Sequence, residues 1–377
     1  MLLNIYRKPR RLVMQITYLL ELLKPTNKKA NLIEENIKQV QMNRISVANK
    51  LKAGEKNLSS KDFSERLPSA VKNQNIREVK ALYKLFEKSP SKKDNLDFKR
   101  KQPICYNNQN YRIENYFVSF PLYSDKSKRY WFPVIKNETF NKLKEHLDDG
   151  AKLGKASLFK KGKKYYFAVT LKIEVEKALG SKIMGIDIGL NQLAVASIKD
   201  KNGRELDRLF YNGKEAGFIR KKYRSLRRSL GRAKKTKKIR EIKDKESRYI
   251  RDLNHKISRQ LIDLAVQEGV ATIVMEDLKN IRKTAFSLKK ADKNLNSWSF
   301  YELQTFIDYK ARLSGIKVVY INPKYTSQTC NTCKSVEKSN RKRNLYKCSC
   351  GNQVHADLNA ARNICDIGLE AVNQQSA

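Results

Sequence analysis

The sequence predicts an α+β multidomain protein, and three observations support this fold class. Aromatic and β-branched residues recur in short runs across residues 104–176, which is typical of strands. From residue 182 to residue 321, apolar runs alternate with helical patterns, which favours a mixed α/β layer. Four of the six cysteines fall within 21 positions, Cys330 to Cys350, and indicate a small metal-binding module. A chain of 377 residues is long enough for several such domains.

The first quarter of the chain predicts one strand followed by two helices. Residues 13–24 have a strand pattern that Pro25 stops, and Thr26 then fits the N-cap of a helix. Apolar residues recur at helical spacing up to Ile45, and a second helical run spans Asn73 to Glu87. The strand-rich block 104–176 comes next.

The second half of the chain carries isolated acids on apolar strands. Residues 182–198 predict a hairpin in which Asp187 is the only acid. Residues 214–251 have a helical pattern with 17 Lys and Arg against four acids. A second buried-strand pattern ends at Glu276, and a third spans residues 316–321.

The charge of the chain indicates a polyanionic partner. The sequence holds 80 Lys and Arg against 38 Asp and Glu, a formal charge of +42, and a surface of one sign repels itself unless a partner offsets it. Nucleic acid is favoured over a membrane, because no apolar run reaches the ~18 residues of a bilayer span. The basic 214–251 region could be a solvated helical face, but with few acids it favours phosphate binding. Clustered cysteines and a poor signal peptide suggest a cytoplasmic protein.

The cysteine cluster predicts a structural zinc site. Cys330 and Cys333 form one C-x2-C pair, and Cys348 and Cys350 form a second pair that is one residue shorter than usual. Four thiolates satisfy the tetrahedral preference of Zn²⁺ and leave no open position for catalysis. His355 could replace one ligand, or it could be an ordinary surface residue near a helix start.

Three acids could form a separate site for Mg²⁺. Asp187 and Glu276 lie on apolar strands, where a carboxylate is costly unless it is paired or binds a cation. Asp357 begins a helical pattern, where an acid would also stabilise the helix as a cap. Each acid taken singly has such a structural explanation. Together they suit two-metal phosphodiester cleavage, which uses hard oxygen ligands.

The chain also resembles the TnpB family of transposon-encoded RNA-guided nucleases, relatives of the miniature type V CRISPR effectors. The resembling motifs occur in order over about half of the chain: Gly185-Ile-Asp187-Ile-Gly-Leu with Leu193-Ala-Val-Ala, Arg251-Asp-Leu-Asn-His-Lys-Ile-Ser258, Ile273-Val-Met-Glu276-Asp-Leu, Tyr309-Lys-Ala with Gly315, and Thr326-Ser-Gln-Thr-Cys330 through Asp357-Leu-Asn-Ala-Ala-Arg-Asn-Ile364.

This resemblance implies an RNase H-like (RuvC) nuclease domain over residues 181–325 and 354–377, with a zinc ribbon inserted at residues 326–353. Asp187, Glu276 and Asp357 would bind two catalytic Mg²⁺ ions, and Cys330, Cys333, Cys348 and Cys350 would bind one structural Zn²⁺. The presence of all three acids argues against the nuclease-dead relatives of this family. We also expect residues 282–296 to form a lid over the nuclease site.

The resemblance also assigns the N-terminal half. Residues 13–27 and 104–176 would form a β-barrel wedge domain, with a helical recognition domain at residues 28–90 and a linker at residues 91–103. Residues 1–12 would be an extension, so that Met14 is a plausible start. The implied partners are a guide RNA and a double-stranded DNA target, with a monomer favoured.

Several functions remain open from sequence alone. The leading hypothesis is a transposon-encoded, RNA-guided DNA endonuclease that cuts beside a short motif. The alternatives are RNA-guided DNA binding or regulation without cleavage, and a miniature CRISPR effector. A transposase that joins DNA ends ranks lower, because no tyrosine or serine nucleophile stands in a recombinase setting.

Overall fold

A computed structural model describes residues 11–88, 96, 98, 102–278 and 300–374. The chain divides into two compact units, one formed by Val13–Glu174 and the other built on Val175–Ala377. The finer subdivision into wedge, recognition, linker, nuclease and ribbon segments remains a prediction. Most of the 1–12 extension, most of the 91–103 linker and all of the 282–296 lid lie outside the described residues.

Seven strands form two sheets in the described part of the N-terminal unit. They are β1 (Arg11–Glu21), β2 (Ile104–Tyr106), β3 (Arg112–Glu114), β4 (Phe117–Tyr123), β5 (Ser127–Pro133), β6 (Lys152–Lys161) and β7 (Lys164–Glu176). One sheet has the order β1-β7-β6-β2, and β3-β4-β5 form an antiparallel meander. The first strand begins two residues before the predicted residue 13.

Aromatic side chains join these two sheets into one core. The ring of Phe120 on β4 stacks on Phe132 at 4.8 Å and on Phe167 of β7 at 5.1 Å between centroids. An isolated antiparallel bridge pairs Leu22 with Val134, so the sheets also adjoin through the backbone. In the part of the chain that the structure describes, the strands make two sheets, and the closed barrel expected from the resemblance is not shown.

The described residues of this unit also form three α-helices: α1 (Asn27–Lys52), α2 (Ser69–Glu87) and α3 (Glu138–Asp148). Thr26 caps α1 as predicted, since its side chain accepts a hydrogen bond from the Lys29 backbone N–H. The helix predicted at Asn73–Glu87 begins at Ser69, directly after Pro68. The first two of these helices pack together around Arg44, whose buried guanidinium donates to Asn75 and Glu78.

A five-stranded mixed sheet is the centre of the C-terminal unit. Its strands are β8 (Lys182–Asp187), β9 (Gln192–Lys199), β10 (Glu205–Asn212), β11 (Val270–Glu276) and β12 (Lys317–Ile321), in the order β10-β9-β8-β11-β12. The predicted hairpin is present as the antiparallel pair β8–β9. The fourth and fifth strands of the unit, β11 and β12, run parallel to β8.

Helices cover both faces of this sheet. They are α4 (Lys214–Arg232), α5 (Thr236–Ile242), α6 (Lys245–Gln267), α7 (Phe300–Leu313) and α8 (Ala356–Gln374). Apolar side chains of α6 and α7 pack on one face, and Ile364, Cys365 and Leu369 of α8 pack on the other. The basic 214–251 region is helical as predicted, and it is divided among three helices with breaks after Arg232 and after Ile242; the third helix continues to Gln267.

A small antiparallel sheet is inserted between β12 and α8. It consists of β13 (Arg341–Lys342), β14 (Leu345–Lys347) and β15 (Gln353–His355). Two of the four clustered cysteines precede β13, and the other two lie between β14 and β15. We call residues 326–353 the ribbon. Among the helices that the structure describes, none combines the length and the apolar character that crossing a bilayer requires.

Candidate metal centre

Two of the three predicted acids end neighbouring strands of the central sheet. Asp187 is the last residue of β8, and Glu276 is the last residue of β11. The two strands are parallel, and Ile186 pairs with Met275 immediately before the acids. Because the carboxyl ends of parallel strands meet at one edge of a sheet, both carboxylates lie at that edge.

The third acid reaches the same edge from helix α8. Asp357 is the second residue of that helix, and the next residue, Leu358, packs on Val195. Val195 is in turn the strand partner of Asp187. Helix α8 approaches strand β8 closely here because residue 185 of the strand is a glycine. A Cβ atom at Gly185 would lie 2.5 Å from the Cys365 backbone nitrogen of the helix. A glycine on the strand thus allows the helix that bears Asp357 to lie against Asp187.

Electrostatics show that the three carboxyl groups interact. Burial raises the pKa of Asp187 well above its ordinary value, and the negative charges of Glu276 and Asp357 raise it further. Burial also raises the pKa of Glu276. Asp187 and Glu276, with raised pKa values, and the negative charge of Asp357 form a site that a divalent cation would stabilise, since its charge favours ionised carboxylates.

Two side chains outside the predicted set hold these acids. The Thr326 hydroxyl donates to Glu276 Oε1, and the Arg341 guanidinium donates to Asp357 Oδ1 at 2.7 Å. The positive charge of Arg341 also lowers the pKa of Asp187 and of Glu276, against the effect of burial. Thr326 belongs to a motif quoted above, but Arg341 carries no sequence signal, because it is one of many basic residues in the ribbon.

The acids are spaced more widely than the cysteines. Within the residues that the structure describes, only the four cysteines have candidate ligand atoms that all lie within 4.8 Å of one another. The Arg341 guanidinium donates to Asp357 and places a positive charge beside this acid. The donor set of three carboxylates fits a hard cation such as Mg²⁺ in its chemistry.

The four cysteine sulfurs converge despite the shortened second pair. Cys330 Sγ lies 3.7 Å from Cys350 Sγ, and Cys333 Sγ lies 3.6 Å from Cys348 Sγ. These separations match the ~3.8 Å that a tetrahedron with Zn–S bonds of about 2.3 Å requires. The tight loop closes at Gly351, which has a φ of 91° and donates its N–H to the Cys348 carbonyl oxygen.

Polar neighbours favour a thiolate at Cys330 and at Cys348, whereas the adjoining thiols raise the pKa of Cys350 to about 12. The Ser335 hydroxyl next to Cys348 lowers the pKa of that thiol to about 6. Asn352 Nδ2 donates to Cys330 Sγ at 3.4 Å. His355 Nδ1 instead accepts a hydrogen bond from the Asp357 backbone N–H at 3.3 Å. The sulfurs therefore form the cluster without the histidine ligand that the sequence left open.

Two asparagines tie the ribbon to the helix that carries Asp357. Asn359 Nδ2 donates to the Thr329 carbonyl oxygen at 2.7 Å, and its Oδ1 accepts from the Asn331 N–H at 2.9 Å. Asn363 Nδ2 donates to the carbonyl oxygens of Thr326 and Thr329. Both asparagines lie in the final sequence motif. Their role in positioning the ribbon was not assigned from the sequence, because it depends on contacts about 30 residues away along the chain.

Two family models match separate segments of the chain, which lie mostly in the C-terminal unit. The model described as "Cas12f1-like, TNB domain" matches residues 300–364, and the model described as "Probable transposase" matches residues 166–282. The first segment contains the four cysteines and Asp357, and the second contains Asp187 and Glu276. All the predicted site residues therefore lie in matched segments.

Named relatives and a solved structure agree with these models. The CRISPR-associated endodeoxyribonuclease Cas12f1 of Sulfoacidibacillus thermotolerans is 35% identical over 52% of this chain and 48% of that protein. A TnpB-like protein of Methanocaldococcus jannaschii is 36% identical over 46% of this chain and 63% of its own length. The chain thus spans about half the length of the first of these relatives and less than two thirds of the second.

The structural similarity to a relative extends over more of this chain than the sequence similarity does. The structure of a Cas12f1–sgRNA–target DNA complex matches with a TM-score of 0.64, at 16% identity, over 94% of this chain and 99% of that one. The same α+β multidomain architecture is therefore present in both. Given the two family models, the two kinds of named relative and the shared fold, the chain belongs to the TnpB/Cas12f family.

Proposed function

We propose that the chain is an RNA-guided DNA endonuclease encoded by a transposon, which cleaves target DNA beside a short motif by Mg²⁺-dependent phosphodiester hydrolysis. The observation that carries this proposal is the meeting of Asp187, Glu276 and Asp357 at one sheet edge, where the pKa of Asp187 is raised by burial and by both other acids. A buried cluster of like charges is costly unless a cation joins it.

The three acids would hold the metal, and the neighbouring side chains would set their positions. Mg²⁺, when bound there, supplies activation of the nucleophile and charge stabilisation on the phosphate. The Thr326 hydroxyl orients Glu276 by donating to Oε1, and Gln304 Nε2 donates to the Glu276 carbonyl oxygen at 2.5 Å. Arg341 can donate to a phosphate oxygen from the same place at which it now donates to Asp357.

The remaining parts of the proposal concern the scaffold and partners. The cysteine cluster would hold one structural Zn²⁺ that keeps the ribbon, and with it Arg341, beside the acids. We assign the C-terminal unit an RNase H-like (RuvC) nuclease role. The N-terminal unit would serve as a β-barrel wedge with a helical recognition segment, which binds guide RNA and the duplex beside the target. A cytoplasmic location follows from partners of this kind.

Base pairing would supply the sequence specificity, while the protein supplies charge and geometry. With 80 basic residues against 38 acids, the chain can neutralise many phosphates of RNA and DNA. The relatives carry both TnpB-like and Cas12f names, so a miniature CRISPR effector remains the second candidate. A structured RNA that overlaps the 3′ end of the gene would favour the transposon nuclease, and a neighbouring spacer array would favour the CRISPR effector.

Plasmid cleavage tests the proposal directly. The full chain, loaded with the RNA encoded beside its gene, is expected to linearise a plasmid that carries a matching target next to a randomised motif, in the presence of Mg²⁺. Asp187→Ala should reduce the linear product to background, because it removes the acid that interacts with both others. Asp207→Ala, on strand β10 of the same sheet, is the matched control and should cut normally.

Binding without cleavage is the competing outcome. A DNA footprint that appears with RNA, while the plasmid stays supercoiled at every Mg²⁺ and Mn²⁺ concentration, would identify an RNA-guided binding protein instead. Cleavage that survives Asp187→Ala would place the active site elsewhere in the chain.

A further inference from the structure

Asp366 on helix α8 holds two lysines, one on the central sheet and one in the ribbon. Its Oδ1 accepts a hydrogen bond from Lys199 Nζ on strand β9, and its Oδ2 accepts one from Lys334 Nζ at 2.6 Å. The Lys199 side chain is 8% exposed and reaches the carboxylate from inside the fold, whereas the Lys334 side chain is 51% exposed. One carboxylate therefore joins the sheet, the helix and the ribbon.

Lys334 belongs to the turn that carries the first cysteine pair. It follows Cys333 directly, and its N–H donates to the Cys330 carbonyl oxygen at 3.0 Å. The backbone of Lys334 thus closes the turn around the two cysteines, while its side chain holds the turn on helix α8. Fixing this lysine on the helix also fixes the first cysteine pair there.

The backbone conformation of Lys334 indicates that its side chain has a specific role. The residue has a φ of 63°, in the left-handed region that glycine and asparagine adopt at lower cost than lysine. The turn alone would therefore favour one of those residues. The hydrogen bond between the Lys334 ammonium and the Asp366 carboxylate, in which both groups are charged, gives lysine a different advantage at this position.

Asp366 completes a row of contacts between the ribbon and one face of α8. Asn359, Asn363 and Asp366 follow one another at intervals of four and three residues, so their side chains lie on the same face of the helix. Both asparagines donate to the Thr329 carbonyl oxygen, and Asp366 holds the end of the same segment. Residues 326–334 are therefore docked along roughly 10 Å of helix, at about 1.5 Å per residue.

The docked segment leads directly to the acids. Thr326, at its start, donates its hydroxyl to Glu276 Oε1. Asp357 lies on the same helix, nine residues before Asp366. A ribbon that lifts from the helix at Lys334 would loosen the segment from one end, and the hydroxyl that orients Glu276 is at the other end.

We propose that Lys334 is a positioning residue of the nuclease site, which docks the ribbon on helix α8 through Asp366 and so keeps Thr326 and Arg341 on the acids. The inference rests on the proposed nuclease function and adds to it a residue that acts through the ribbon. An exposed lysine in so basic a chain could instead bind a phosphate, but the Lys334 ammonium already donates to a carboxylate. The two roles predict different kinetic defects.

Hydrogen exchange tests the docking without requiring cleavage. The Asn331 N–H donates to Asn359 Oδ1 at 2.9 Å, so its exchange rate reports whether the ribbon lies on the helix. Lys334→Asn removes the ammonium and keeps a residue that tolerates the positive φ, and Lys334→Arg keeps a cation. Lys338→Ala is the matched control, because it removes an exposed positive charge elsewhere in the ribbon.

The full zinc-loaded chain is used, and Asp366 is left in place because its loss would also deprive the buried Lys199 ammonium of its carboxylate. Lys334→Asn is expected to speed exchange at Asn331 several-fold, while Lys334→Arg and Lys338→Ala exchange like the parent. Zinc content and melting temperature should stay nearly unchanged, since a half-exposed ion pair contributes little to global stability. Unchanged exchange in Lys334→Asn, or equal acceleration in Lys334→Arg, would overturn the docking role.

Single-turnover cleavage then separates positioning from DNA binding. Lys334→Asn should lower the rate at saturating protein–RNA complex several-fold, without changing the complex concentration that gives half of that rate, and Lys334→Arg should recover most of the rate. A raised half-saturating concentration with an unchanged maximal rate would make Lys334 a phosphate contact. Unchanged cleavage alongside faster exchange would show that the docking does not position the acids. Either result overturns the proposal.

The two proposals fail in distinguishable ways. A parent protein that never cuts would remove the endonuclease, and with it the positioning role, while the exchange rates would still decide whether Lys334 docks the ribbon. Cleavage by the parent and by Lys334→Asn at the same rate would keep the endonuclease and remove only the positioning role.

Discussion

Arg341 is the side chain through which the ribbon meets the acids. Its guanidinium donates to Asp357, and its charge opposes the raised pKa of both Asp187 and Glu276. Pairing of this kind leaves no pattern in the sequence, since Arg341 lies 16 residues before Asp357 in a run of basic residues. Asp187 and Glu276 could be singled out because isolated carboxylates on apolar strands are unusual, and Asp357 because it begins a helical pattern. Their cationic partner could not.

A second buried cation, Lys310 on α7, makes stability depend on pH. Its Nζ donates to the His255 carbonyl oxygen and to the Ser258 hydroxyl, both at 2.7 Å. The side chain is 5% exposed, and burial lowers its pKa to about 8. The unfolded chain therefore binds more protons than the folded one from about pH 8 to about pH 10.4, and the free energy of unfolding contributed by Lys310 rises with pH across that window.

Lys310→Met should remove this rise. We expect the variant to be at least as stable as the parent near pH 7, because Ser258 can still donate to the His255 carbonyl oxygen. The free energy of unfolding of the variant, relative to that of the parent, should fall by up to about 3 kcal/mol between pH 7 and pH 10, since one unit of pKa shift corresponds to about 1.4 kcal/mol. Urea unfolding at the two pH values measures it, with the exposed Lys222→Met as control. A difference that stays constant with pH would show that Lys310 titrates normally.

Strand β8 and helix α8 fit together only because position 185 is glycine. A Cβ atom there would lie 2.5 Å from the Cys365 nitrogen and 2.9 Å from its Cα, both backbone atoms of the helix. Gly185→Ala must therefore push the helix, and Asp357 with it, away from Asp187. We expect a loss of about 1–3 kcal/mol in stability, as for other overpacked cores, and a marked loss of cleavage. Thermal unfolding and the plasmid assay measure the two effects.

Gly231→Ala serves as the control for that substitution. It lies in α4, where a Cβ atom meets nothing within 4 Å, and should stabilise the helix by about 0.5–1 kcal/mol without affecting cleavage. If Gly185→Ala proved as harmless as Gly231→Ala, the close contact between strand and helix would not be what positions Asp357.

Zinc removal should disable the site without unfolding the chain. The ribbon carries Arg341 and Thr326, while Asp187 and Glu276 lie on the central sheet. Chelation is expected to release about one Zn²⁺ per chain and to abolish cleavage, with helical circular dichroism largely retained. Restored cleavage on adding Zn²⁺, measured alongside metal content, would confirm a structural role. Full activity in zinc-free protein would contradict it.

Elements could be predicted where one local signal decides them, and not where tertiary packing does. The hairpin at residues 182–198 and the Thr26 cap are set by short apolar runs and a capping side chain, and both are present. The 214–251 region is divided into three helices, with Lys234 at a φ of 52°, although its charge pattern is uniform. The arrangement of the N-terminal strands in two sheets could not be predicted in this way, because pairing between strands that are far apart in the chain has no local signature.

The charge of the whole molecule should govern its stability as well as its partners. A formal charge of +42 repels itself in the compact state, and salt or a bound polyanion reduces that repulsion. We expect the melting temperature of the free protein to rise by several degrees between about 0.1 M and about 0.5 M NaCl. Bound RNA should raise it further at low salt, since a ligand at 100 times its Kd adds about 2.7 kcal/mol.

The two effects should oppose each other as salt increases. Salt stabilises the free protein but releases RNA, because the affinity of phosphate contacts falls steeply with ionic strength. The melting temperatures of the free and the RNA-bound protein should therefore converge at high salt, and differential scanning fluorimetry with and without RNA would record both curves. A free protein that loses stability with salt would show that attraction within its ion pairs, such as Arg44–Glu78, outweighs the repulsion of the excess positive charge.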